Sequence, residues 1–268
     1  MEEHLNDNLI NEIHELKNQN QELLFEIKFI KNLILKNDQT LETTSFCPIC
    51  NEFNDFKPFG VDSRENAECP TCHTLERHRL VCLLFKKRYS ELLSKKINLL
   101  HFAPEPPFYK LFNNKKNINY YPVDINPEPY EKINVNIREK VNMQEIPYED
   151  NTFDLIYNCH VLEHVPDDIK AMTELYRVLK EDGTCITLIP LFPIATTLEN
   201  EKYNATPELR LKYYGHRHHL RKYGYDFKDR LESVGFNVEE VKSENLIKSD
   251  FERNLYKLAN DTIYICTK

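Results

Sequence analysis

Two short cysteine knuckles, Cys47-Pro-Ile-Cys50 and Cys69-Pro-Thr-Cys72, constrain this chain more than any other feature. Each turns tightly enough to aim two thiolates at one point. With 18 residues between them, the pairs match a zinc ribbon, in which Cys47, Cys50, Cys69 and Cys72 hold one tetrahedral ion. A redox dithiol, the alternative, would need only one such pair. Four thiolates leave no open coordination position, so the zinc is expected to hold the fold. His73 and His78 are spare donors nearby, whereas Cys82, Cys159, Cys185 and Cys266 sit in apolar runs and read as small core residues.

Reduced thiols fit the N-terminus, which offers neither a basic leader nor an apolar signal core, and the cytoplasm is the expected compartment. No apolar run approaches the roughly 18 residues of a membrane span, so no membrane partner is expected. The 268 residues allow one large domain and a small module. Thirty-five Lys and Arg against 43 Asp and Glu leave a net charge of −8, which repels phosphate backbones and argues against a nucleic-acid partner. Only five glycines are present, too dispersed for a glycine-rich phosphate loop.

Ahead of the knuckles, Leu9, Ile13, Leu16, Asn20, Leu23, Ile27, Ile30 and Ile34 step by four and three. Placing Ile13, Asn20, Ile27 and Ile34 at a, and Leu9, Leu16, Leu23 and Ile30 at d, gives the pattern of a parallel two-stranded coil with Asn20 fixing its register. A coiled-coil helix over residues 1–38 and a homodimer through residues 9–34 are therefore expected. An amphipathic helix packed on its own domain stays open, because Leu5, Leu24, Phe25 and Phe29 broaden the apolar face. The zinc module and a linking helix, periodic over Leu75–Tyr89, would occupy residues 45–90, and a third unit residues 95–268.

In that third unit short apolar runs alternate with amphipathic stretches. Strands are expected at Ile97–Ala103, Tyr120–Asp124, Phe153–Asn158, Thr184–Pro190, Asn237–Val241 and Thr262–Thr267, and helices notably at Asp168–Leu179 and Asp226–Val234. This alternation implies an α/β fold with a mainly parallel sheet, whose ligands bind outside the carboxyl ends of the strands. Asp124 ends the second strand about 20 residues after the first, where an acid can accept two ribose hydroxyls.

The segments Phe153-Asp-Leu-Ile156, His160-Val-Leu-Glu-His-Val165 and Arg177-Val-Leu-Lys-Glu-Asp-Gly183 resemble class I S-adenosylmethionine-dependent methyltransferases, over roughly Ile97 to Lys268. With the knuckles and Leu75-Glu-Arg-His-Arg-Leu80, the chain is similar to the subgroup of that class carrying an N-terminal four-cysteine module. The resemblance implies a Rossmann-like seven-stranded sheet in the order 3-2-1-4-5-7-6, strand 7 antiparallel, preceded here by the coiled-coil helix and the zinc ribbon. It implies S-adenosylmethionine as cofactor, bound by Phe102, Ala103, Pro104, Glu105, Asp124, Asn142, Met143, Asn158 and Cys159. His101 stands where the class usually has an acid, and Ala103, Glu105 and Pro107 where it has three glycines. Without glycine a positive φ is costly, so the loop is expected to approach the cofactor differently.

His160, which follows the fourth strand, is the candidate general base, with Glu163 and His164 near it. Between Arg210 and Arg230 seven Lys or Arg residues outnumber two Asp. That stretch is either a solvated charged face or a substrate site, in which Tyr213, His216, Arg217, His219 and Tyr223 hold an anionic small-molecule or glycan acceptor. The expected activity is methyl transfer to such an acceptor. The rival readings are a catalytically degenerate fold serving as a coiled-coil and zinc-ribbon scaffold, and an RNA methyltransferase.

Overall fold

The computed structural model describes residues 45–60, 63–247, 249–258 and 260–268. The proposed coiled-coil helix and its dimer seam lie outside the described residues. The first knuckle is the turn of a hairpin between β1 (Ser45–Cys47) and β2 (Glu52–Asn54), paired antiparallel with Phe46 opposite Phe53. The second follows a hairpin of β3 (Lys57–Phe59) and β4 (Arg64–Glu68). Helix α1 (Glu76–Arg88) comes next, with Glu76 in its first turn and Lys86, Lys87 and Arg88 in its last, charges that oppose the helix dipole at each end.

β5 (Ile97–Phe102) leads into α2 (Pro106–Asn113), and β6 (Ile118–Asp124) is followed by the short β7 (Glu139–Lys140). β8 (Phe153–Cys159) ends in a 3-10 turn at Leu162–His164, and α3 (Asp168–Val178) runs directly into β9 (Leu179–Leu188). Then come α4 (Glu201–Asn204), α5 (Pro207–Tyr214), α6 (Phe227–Ser233), β10 (Asn237–Lys242), α7 (Ser243–Leu246), α8 (Asp250–Tyr256) and β11 (Thr262–Thr267). Seven strands form one sheet in the order β10-β11-β9-β8-β5-β6-β7. Only β11 runs antiparallel to its neighbours. This is the strand order and sense that the resemblance implied. β9 begins five residues earlier than expected, because Leu179 pairs with Phe153 ahead of an irregular stretch that brings Thr184 opposite Leu155.

Alternate residues of the central strands feed two separate cores, as a strand's period of two requires. Leu99, Leu155, Tyr157, Ile186, Leu188, Ile263 and Ile265 pack against α1 and α2 through Leu80, Leu84, Phe85, Phe108 and Phe112. Leu100, Phe102, Ile156, Cys185, Tyr264 and Cys266 pack the opposite face against Met172, Leu175, Phe227 and Leu231 of α3 and α6. Helix α1 is buried over most of its circumference because it lies between the cysteine module and the sheet. Among the described residues no helix is long and apolar enough to cross a membrane.

Candidate functional site

The four cysteines converge. Their sulfurs lie within 4.8 Å of one another, with Cys47 Sγ 3.5 Å from Cys72 Sγ and Cys50 Sγ 3.8 Å from Cys69 Sγ. The two knuckles have the same backbone form. The Asn51 amide bonds to Cys47 O and the His73 amide to Cys69 O, and both residues sit at left-handed φ, +57° and +55°. Thr74 Oγ1 stands 3.0 Å from Cys72 Sγ, and Asn54 Nδ2 donates to Cys69 Sγ. Such donors stabilise thiolates. The four sulfurs cannot all ionise unaided: a hydrogen bond with Cys72 pulls Cys47 down to about 4, while burial and the neighbouring sulfurs push Cys50 up to about 12. A divalent cation removes that conflict, and the donor set suits tetrahedral zinc.

The fully buried Arg79 of α1 ties this centre to the rest of the chain. Its guanidinium donates to the carbonyls of Tyr256, Ala67, Thr74, Asn66 and Lys257 at 2.7–3.3 Å, and it lies 4.2 Å from the Phe56 ring centroid. None of these partners is a carboxylate, and the nearby negative charge comes from Cys47, Cys69, Cys72 and Glu76.

At the carboxyl end of β5 the loop reaches a positive φ although none of the three positions there is glycine. Ala103, in the first glycine position, adopts φ +49°, and its amide bonds to Val123 O. The turn is thus kept with an alanine, at about 1–2 kcal/mol of steric cost. Glu105 caps α2, with Pro106 and Pro107 in the first turn, where proline loses no helical hydrogen bond. Its carboxylate folds back so that Oε2 lies 3.0 Å from His101 Nε2, and Tyr157 donates to Oε1 at 3.3 Å. Tyr120 OH lies 2.8 Å from His101 Nδ1. Tyr120 donating to Nδ1 leaves the His101 proton on Nε2, facing Glu105. Burial alone would raise the Glu105 carboxyl, but the bond from His101 holds it down to about 2. An acid thus stands at this strand end, four residues beyond His101.

Asp124 ends β6 as expected, its carboxylate accepting from the Asn126 amide (2.7 Å) and Tyr130 OH (2.8 Å). Asn142 is exposed, while Met143, Phe102 and Pro104 are buried. Asn158 is fully buried and accepts from Thr187 Oγ1 at 2.5 Å, so its amide is engaged with β9. Cys159 is buried too, but its sulfur, His78 and Glu105 carry ligand atoms within 4.8 Å of one another.

His160 leaves β8 at φ +56°. Its Nδ1 lies 3.4 Å from Oε1 of the fully buried Glu163. Burial, then the charge of Arg77, pulls His160 down to about 3, while burial pushes Glu163 up to about 8. Both are therefore neutral near pH 7.

The basic stretch is not a free cationic surface. Arg217 pairs with Glu208 (2.8 Å), Arg230 with Asp168 (2.6 Å), and the buried Arg221 with Glu199 (2.7 Å). Tyr223 is fully buried and donates to Asp168, which places it in the core and not beside an acceptor; Tyr213 stacks on Tyr203 at 3.7 Å. His216 and His219 instead gather with His164.

Two side chains that the sequence did not offer as site residues come from α1. His78 is nine-tenths buried, its Nδ1 accepting the Leu75 amide and its Nε2 unpaired 3.7 Å from Glu105. The charge of Arg77 reaches Cys159, His160, Glu163 and Asp261, and its Nε is buried without a hydrogen-bond partner among the described residues. The only signal was their place in the Glu-Arg-His-Arg run after the second knuckle.

Residues 108–187 match the methyltransferase domain family. An uncharacterised protein of Methanocaldococcus jannaschii is 34% identical over 31% of this chain and 36% of its own. A ubiquinone/menaquinone biosynthesis C-methyltransferase of Psychromonas ingrahamii is 36% identical over 26% of this chain and 30% of its own. The chain thus spans about a third of the length of the curated relatives it matches. The solved structure of an S-adenosylmethionine-dependent methyltransferase from Archaeoglobus fulgidus superposes with a TM-score of 0.49, at 18% identity, over 74% of this chain and 96% of that one. The strand order and the antiparallel last strand are those of the Rossmann-like methyltransferase fold, and residues 108–187 of that fold match the methyltransferase domain.

Proposed function

We propose that this protein transfers a methyl group from S-adenosylmethionine to a small acceptor held beyond the carboxyl end of β8. The observation that carries this reading is the Glu105 carboxylate, kept anionic by His101 in the loop where the class binds the methionine end of its cofactor. The residues present fit the cofactor group by group. Glu105 offers an anion to its ammonium, the unpaired Arg77 Nε a donor to its carboxylate, and Asp124 a carboxylate to its ribose hydroxyls. Ala103 keeps the turn that lets the backbone come close.

When bound, the cofactor supplies an activated methyl on a sulfonium. What the chain contributes is chiefly alignment, since an in-line transfer depends on near-attack geometry. His160, neutral and with its Nδ1 3.4 Å from Glu163 Oε1, orients an acceptor hydroxyl. Neither side chain is set up as a general base near pH 7: His160 titrates near 3, too low to hold a proton, and Glu163, titrating near 8, already carries one. Cys47, Cys50, Cys69 and Cys72 would hold zinc away from the reaction, and α1 carries their influence to Arg77 and His78 in the pocket.

Calorimetric titration of zinc-replete protein with S-adenosylhomocysteine tests this. Binding by the wild type that is lost in Asp124→Ala and weakened in Glu105→Gln supports it; absence of binding by the wild type overturns it and favours the scaffold reading. Radiolabelled transfer to sugar phosphates, uronic acids and quinols then separates an oxygen from a carbon acceptor.

A further inference from the structure

We propose that His164, His216 and His219 form a second metal site, for a divalent ion of the zinc type, at the acceptor end of the pocket. The three side chains come from two segments far apart in sequence, yet their ligand atoms lie within 4.8 Å of one another. The ring centroids of His164 and His219 are 4.8 Å apart, those of His216 and His219 4.7 Å, and those of His164 and His216 5.8 Å. The rings are inclined at 77°, 40° and 85°, so no pair is stacked flat. A tetrahedral zinc with Zn–N of about 2.0–2.1 Å needs nitrogens about 3.4 Å apart. Closing that gap takes side-chain rotation alone, and His164 and His216 are exposed and free to make it.

The hydrogen bonds around the cluster are those a metal centre uses. His164 Nδ1 stands 3.0 Å from His218 O, so the ring donates there and Nε2 keeps a lone pair. A carbonyl partner on the far nitrogen is the usual way a metal-binding imidazole is oriented. His219 Nδ1 is buried with no partner among the described residues. His216 Nδ1 accepts the His218 amide at 3.2 Å, a long bond that the ring gives up on turning its lone pair to an ion.

The two segments are also locked together. The Leu220 amide donates to Glu163 O, and Arg221, fully buried, donates to the carbonyls of Leu162, Val165 and Pro166 at 2.5–2.8 Å. Gly215, at φ +82°, ends α5 and releases the chain immediately before His216. Three imidazoles suit zinc, copper or nickel, and three protein ligands leave the fourth position open. Resting on the reading that the acceptor lies beyond β8, that position would take an acceptor oxygen.

The test uses untagged full-length protein loaded with one equivalent of zinc at its cysteines and titrated with Co²⁺. The expected result is one further equivalent showing tetrahedral d–d absorption without a thiolate charge-transfer band, competed away by zinc. His216→Ala and His164→Ala, at exposed positions that preserve the fold, should each weaken cobalt binding at least tenfold; His219→Ala should abolish it. Cysteine-bound zinc should be retained in all three. Absence of the bands, or bands that persist in His164→Ala and His216→Ala, overturns the site. Cobalt binding without S-adenosylhomocysteine binding would leave the metal site standing and sink the methyltransferase reading, and the reverse would sink the metal site alone.

Discussion

His101 Nε2 and Glu105 Oε2 stand 3.0 Å apart, joining the last turn of a strand to the cap of the helix that follows it. The pair keeps the Glu105 carboxylate anionic at the carboxyl end of β5. Charged hydrogen bonds of this kind are worth about 1.5–3 kcal/mol. Glu105→Gln should therefore weaken S-adenosylhomocysteine binding by roughly ten- to a hundredfold, with far-UV and near-UV circular dichroism unchanged. Equal affinity in calorimetry would remove Glu105 from the cofactor site.

Glu163 sets a pH dependence of stability. Its pKa rises from the ordinary ~4.3 of an unfolded chain to about 8 in the fold. Between those values the folded state keeps a proton that the unfolded state has released, so this group favours folding below about pH 4 and its contribution is lost as pH rises to about 8. Glu163→Gln stays neutral throughout. In thermal melts it should unfold several degrees above wild type at pH 8.5, with the difference closing at pH 4; parallel curves would show that Glu163 ionises normally.

Ala103 holds a conformation that glycine adopts more readily. Ala103→Gly should stabilise the protein by up to about 1 kcal/mol, the relief of steric cost being partly offset by the greater freedom of the unfolded chain. Ala103→Val should destabilise it by about 1–2 kcal/mol, since a β-branched side chain is still less suited to positive φ. Urea denaturation checks both.

Much of the sheet was legible because each of its central strands is a short apolar run, and β11 falls on its expected limits for that reason. The start of β9 was not, because a bulge depends on the partner strand and leaves no pattern in its own sequence. The cysteine centre was legible from spacing alone. The placing of His78 beside Glu105 was hidden, since only tertiary packing brings α1 over the end of β5. The basic stretch looked like a free charged surface because Glu199 and Asp168, which pair with Arg221 and Arg230, lie 22 and 62 residues away along the chain.

Metal removal should act through the same centre that Arg79 supports. Stripping zinc with a chelator, or replacing Cys69 by Ser, should lower the melting temperature by 10 °C or more on the scale of about 2–4 °C per kcal/mol for a chain of this size. Metal analysis of the native protein should give one equivalent at the cysteines, and an unchanged melt after verified zinc loss would show that the thiols alone carry the module.

The reach of Arg79 also bears on the order in which the protein can be built. Its partners at Tyr256 and Lys257 lie 177 and 178 residues further along the chain. The cysteines leave the ribosome well before the carbonyls that complete the shell of Arg79. During synthesis the cysteine module must therefore wait, with a guanidinium still in water, until α8 arrives, and contacts of such sequence separation close slowly. Loss of residues 256–268 would remove not only β11 from between β10 and β9 but also two of the carbonyls that hold Arg79 beside the cysteines.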